Sequence, residues 1–131
     1  MARLLTVNES LDRIVELDGA PVELEGMLGV QPEGYFLGHY PPSARKSDYV
    51  IANRRYPPFI ILAFGNGSLQ PNRDALERWI GQPVRVDGVL HSTPLPRADD
   101  PVEYLGLVTP GRITPYSIRR LTKVERRQND A

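Results

Sequence analysis

Residues 17–28, LDGAPVELEGML, and residues 79–90, WIGQPVRVDGVL, align without a gap. The shared skeleton is glycine, any residue, Pro-Val, an alternating charged and apolar run, an acidic residue, glycine, an apolar residue and leucine. Gly19 and Gly81 each close a stretch of helical periodicity, where glycine tolerates the left-handed conformation that ends helices. Pro21 and Pro83 follow; proline cannot continue a helix but is accepted at the first position of a strand. Val22 and Leu24 alternate with Glu23 and Glu25, as Val84 and Val86 alternate with Arg85 and Asp87, which is the period of a half-buried strand. Gly26 and Gly88 then interrupt each strand, the mark of a bulge or a sharp bend. The chain thus predicts one helix-to-strand unit used twice.

Outward from the echo, Thr6 to Leu17 reads as the first helix. Thr6-x-x-Glu9 fits a capping box, and Val7, Leu11, Ile14 and Val15 share a face. Strands are expected at Val22–Val30 and Tyr35–His39, with turn chemistry at Gln31–Gly34 between them. The polar loop 40–48 precedes two apolar stretches, Tyr49–Ala52 and Phe59–Phe64, split by residues 53–58. FIILAF is continuous, which predicts a central strand buried on both sides. Gly65–Ser68 is a turn. Asn72 to Ile80 is the second helix, capped by Asn72, with Ala75, Leu76, Trp79 and Ile80 as its buried stripe and Trp79 as a plug for the core. Then come a strand at Val84–His91, a polar loop, a strand at Tyr104–Val108 and an extended stretch at Ile113–Leu121. Residues 1–122 make one domain; residues 123–131 form a charged tail expected to fray.

That order resembles the OB-fold, a five-stranded Greek-key barrel. The resemblance covers nearly the whole chain and rests on pattern: Gly26 and Gly88 bend strands one and four, and the short helix from Asn72 falls between strands three and four. The first helix is an N-terminal addition. An SH3-like or other small β-barrel is the alternative.

Composition bounds the function. A chain of 131 residues makes one domain with a modest core. There is no cysteine, which excludes disulfides, thiolate metal sites and cysteine nucleophiles. No run has the length of a membrane span and MARLLTVNES lacks a signal-peptide core, so a soluble cytoplasmic protein is expected. The formal net charge of zero hides segregation. Met1–Tyr35 carries seven acids against Arg3 and Arg13, whereas residues 112–127 carry six bases against Glu125. Such a division either makes an electrostatic footprint or neutralises itself in the fold.

Catalytic chemistry is sparse. His39 and His91 have no spaced partner, Ser43 and Ser92 lie outside any nucleophile elbow, and GNGSLQ at 65–70 lacks the lysine and hydroxyl residue of a phosphate loop. Arg54-Arg55 with Asn66-Gly-Ser68 resembles only half of the motif of PilZ-type cyclic-dinucleotide receptors; its aspartate and terminal glycine are missing. The expectation is a non-catalytic module, without metal or cofactor, that binds a protein; single-stranded nucleic acid is the alternative. The OB resemblance places the ligand face on strands two and three and their loops, where Tyr35, Arg45, Lys46, Arg54, Arg55 and Tyr56 become the candidate partner-binding residues. Tyr40 and Tyr49 lie in the same region. Stacking aromatics among arginines suit single strands, and tyrosine and arginine are also enriched at protein interfaces.

Overall fold

A computed structural model describes residues 3–31, 34–46, 49–51, 54–64, 72–92 and 111–130. Its core is the paired echo. β2 (Pro21–Gln31) and β7 (Pro83–Ser92) run antiparallel with Leu24 opposite Val86, the equivalent residues of the two copies. The remaining pairs therefore fall symmetrically about that centre: Val22 faces Gly88 and Gly26 faces Val84, Pro21 faces Val89 and Met27 faces Pro83. The symmetry extends to the strand entrances. The Gly19 N–H donates to Leu90 O and the Gly81 N–H to Leu28 O, both at 2.7 Å. Leu90 N–H donates to Ala20 O and Leu28 N–H to Gln82 O, both at 3.0 Å. Gly19 and Gly81 have φ of 82° and 80°, so each unit turns from its helical segment into its strand through a residue that only glycine fits without strain.

Around this pair the sheet closes. β2 pairs with β3 (Gly34–Gly38), β3 with β6 (Phe59–Leu62), β6 with β8 (Gly111–Arg120), and β8 with β7. β6 and β8 run parallel and the other barrel pairings are antiparallel. Numbered along the barrel, the strands follow the order one-two-three-five-four, with four closing on one. The chain is mainly β, an OB-like Greek-key barrel with an N-terminal helix and a short helix between strands three and four. Two glycines enforce the closure. A Cβ on Gly88 would lie 2.1 Å from Thr114 O, at a register shift between Asp87 and Gly88. On Gly26 it would lie 2.7 Å from Gly38 O, where β2 passes from its contact with β7 to its contact with β3.

The additions to the barrel differ from expectation. β1 (Arg3–Thr6) pairs parallel with β2 over Val22–Glu25, an unforeseen strand. α1 is short, Val7–Asp12, with the expected Thr6–Glu9 capping box; turns follow it, and Val15 is exposed rather than buried. β4 (Tyr49–Ile51) and β5 (Arg54–Tyr56) form a separate hairpin after a 3-10 turn at Pro42–Ala44. α2 (Arg73–Trp79) is capped by Asn72, whose side chain accepts from the Ala75 N–H at 3.2 Å. Its buried residue is Leu76; Trp79 is only partly buried against the core and Ile80 is exposed, so Leu76 fills the place expected of the tryptophan. The stretch expected to fray forms α3 (Lys123–Asp130), opened by a second capping box in which Thr122 and Glu125 exchange side-chain bonds with each other's N–H. The turns at Gln31–Gly34 and Gly65–Ser68 and the strand at Tyr104–Val108 fall wholly or partly outside the described residues. Among the described residues no helix is long and apolar enough to cross a membrane.

Candidate functional site

FIIL does not lie between two buried faces. Ile60 and Leu62 point into the core, whereas Phe59 and Ile61 are half-exposed on the outer side. The alternation is that of an ordinary barrel strand, and it corrects the reading of a strand covered on both sides. On β3 the same rule puts Leu37 inside and Phe36 outside. The barrel register then assembles an outer surface. Gly29, Phe36, Ile61 and Arg112 form one row across four strands, and Met27, Gly38 and Phe59 form the next.

The two phenylalanines meet over a floor of glycines. Their centroids are 4.6 Å apart with planes tilted by 49°. The Phe36 ring lies over Gly29, where a Cβ would be 2.3 Å from its tip. Phe59 lies over Gly38, the residue opposite it on β3. An aromatic ring that covers a cross-strand glycine takes the space of the missing side chain and is held flat against the sheet. Arg45 adds a cation–π contact, its guanidinium carbon 5.6 Å from the Phe59 centroid. Beside it, Lys46 is tied to Asp12 at 2.7 Å.

The six residues singled out from sequence divide. Arg45 stands over the Phe59 ring, and Lys46, next to it in sequence, is held by Asp12. Tyr35 is not on that face: it is partly buried against the core and meets Phe64 edge-on at 6.3 Å. Tyr56 is also buried, as is Tyr40, so neither offers a stacking surface. Arg54 and Arg55 have their backbone in β5; their side chains, like that of Tyr49, lie outside the described residues. Phe36 and Phe59 were missed, although the hairpin carried the signal. Two residues between Gln31 and Gly34 set those two opposite each other, and counting back places Gly29 under Phe36.

The histidines do other work. His39 is buried and its Nδ1 accepts from the Asn8 N–H at 3.2 Å, closing a free donor of the first turn of α1. Burial lowers its pKa, and nearby Lys46 lowers it further against the opposing pull of Glu9. His91 lies near Asp18, 3.9 Å away. No group of three or more metal-ligating side chains comes together among the described residues.

A second charged region lies across β2, β7 and β8. Glu25 is buried and bonded to Arg85, which also reaches Glu125 at 3.0 Å; Arg119 grips both oxygens of Glu125 at 2.8 Å. The Arg119 bonds, followed by that from the Thr122 N–H, hold the Glu125 carboxyl well below the usual carboxylate range. No family model matches the chain, and no curated protein matches it. Among solved structures, a DUF3299 family protein from Pseudomonas aeruginosa is similar over 93% of this chain and 97% of its own, at 13% identity and a TM-score of 0.46, too distant a likeness to bear on function.

Proposed function

We propose that this chain is a non-catalytic protein-binding module whose contact surface is the outer face of β3 and β6. The observation that carries the reading is the Phe36–Phe59 pair, held half-exposed over Gly29 and Gly38. With Met27 and Ile61 it makes an apolar centre, with Arg45 over Phe59 and Arg112 opposite Ile61 at its edge. An apolar, aromatic centre with arginine at its edge is the make-up of a protein interface. Single-stranded nucleic acid would use the same rings for stacking, but its affinity comes largely from phosphate neutralisation. Lys46 already has a carboxylate partner, and Arg45 stands over a ring.

The test is a photo-crosslinking side chain at position 61 in cells of the native host. The expected result is a discrete protein adduct that disappears in Phe59→Ala and in Gly29→Ala. The second variant keeps both rings but drives Phe36 off its seat. Mixed-sequence oligonucleotides should give no anisotropy change at low or moderate salt. Saturable oligonucleotide binding that Phe59→Ala abolishes would install the nucleic-acid reading instead. Absence of any position-61 adduct would remove this face from the protein-binding proposal.

A further inference from the structure

The basic charge gathered near the C-terminus is only partly consumed by ion pairs. Arg119 is satisfied by Glu125. Arg78, Arg120, Lys123 and Arg126 instead line one groove of about 330 Å³, together with Gln82, Leu121 and Thr122, and among the described residues no carboxylate lies in its wall. The groove sits where the end of α2, the entrance to β7, the end of β8 and the start of α3 meet, at the opposite end of the β7–β8 pairing from Ser92 and Gly111.

Its frame is fixed. The Gln82 N–H donates to Trp79 O at 2.8 Å, and the Leu121 N–H to Pro83 O at 3.0 Å. Arg126 Nη2 donates to Gln82 Oε1 at 3.3 Å, while its Nε is buried without a hydrogen-bond partner among the described residues. A buried guanidinium donor left open is costly unless something accepts from it. Arg78 also meets the negative end of the α2 dipole, which accounts for one of the four charges. The other three share the same groove and repel one another.

We infer that this groove binds a compact phosphate-bearing small molecule, separately from the aromatic face. Oxygens of a polyvalent phosphate accept several charge-assisted bonds at once, and arginine forks match them in pairs. The volume is at the small end of ligand sites, which suits a di- or triphosphate group rather than a polymer.

Calorimetric titration of the full-length protein with sodium pyrophosphate, against sodium chloride of equal ionic strength, tests this. The expected result is saturable one-to-one binding, weakened about tenfold or more in the Arg120→Gln, Lys123→Gln double variant. That pair leaves the Arg126–Gln82 bond intact, and the unliganded melting temperature should hold or rise as repulsion is relieved. Lys46→Gln, which is paired elsewhere, should bind as the parent does. No saturable heat, or equal affinity in the double variant, would overturn the site. Tighter binding of a mixed-sequence oligonucleotide, lost in the same double variant, would overturn the small-ligand assignment in favour of a polyanion track. Neither outcome touches the crosslinking result at position 61.

Discussion

The helix-to-strand units at 17–28 and 79–90 share a backbone and divide in their charges. Both enter through a left-handed glycine, exchange matching bonds, and meet about Leu24 and Val86. The outward side chains break the symmetry. Glu25 faces Arg85 and bonds to it, whereas the symmetry-related pair, Glu23 and Asp87, sets two carboxylates opposite each other. Like charges directly across a ladder repel. The backbone solution is therefore stated twice and the electrostatic solution once, on the side where α3 delivers Glu125 to Arg85.

The comparison breaks most readily at the strand glycines. Gly88→Ala should cost roughly 3–5 kcal/mol in denaturant unfolding, because the new methyl meets the Thr114 backbone. Gly26→Ala meets Gly38 O at longer range and should cost less, about 2–3 kcal/mol. Equal costs would mean that the two bends are mechanically alike. The ion pairs come next. Arg85→Ala takes the guanidinium away from buried Glu25 and from Glu125 and should cost about 3 kcal/mol, while Asp87→Asn removes a repulsion and should stabilise by about 0.5 kcal/mol. Two losses of similar size would show that the carboxylate pair is held by something other than its neighbours.

The smallest effect separates the two helices. α1 relies on His39 for its Asn8 N–H, and α2 has a cap that does not titrate. Burial places the folded-state pKa of His39 below its ordinary value of 6.5. The contribution is therefore complete above that value and is lost as pH falls through the lower, folded one. Unfolding free energies should decline from pH 8 to 5, and His39→Gln should remove part of that slope. An unchanged slope in the variant would assign the pH dependence to other groups.

Much of the barrel was legible because the signals were local and repeated. Gly19, Gly81, Gly26, Gly88, the Thr6–Glu9 box and the Asn72 cap each specify backbone geometry with few residues. The candidate site was less legible. In FIILAF no polar residue breaks the run, so the sequence by itself gives no sign that Phe59 and Ile61 face outward. Residue type alone points to Tyr35 and Tyr56, yet facing is decided by register, which turns Tyr35 toward the core and Phe36 outward. β1 and α3 depend on partners distant in sequence: Leu5 needs the β2 edge, and Glu125 needs Arg85 and Arg119. No window of the chain contains those partners.

The seam between β2 and β7 also bears on how the chain finds its fold. Residues that meet there are mostly about sixty positions apart, from Pro21 with Val89 to Met27 with Pro83. Neither unit can bury its apolar side until a loop of that length has closed, and closure is opposed by chain entropy before any contact rewards it. The parallel pairing of β6 with β8 is similarly remote in sequence. Folding is thus expected in the millisecond-to-second regime of non-local β-barrels, with a transition state in which the two halves have already met.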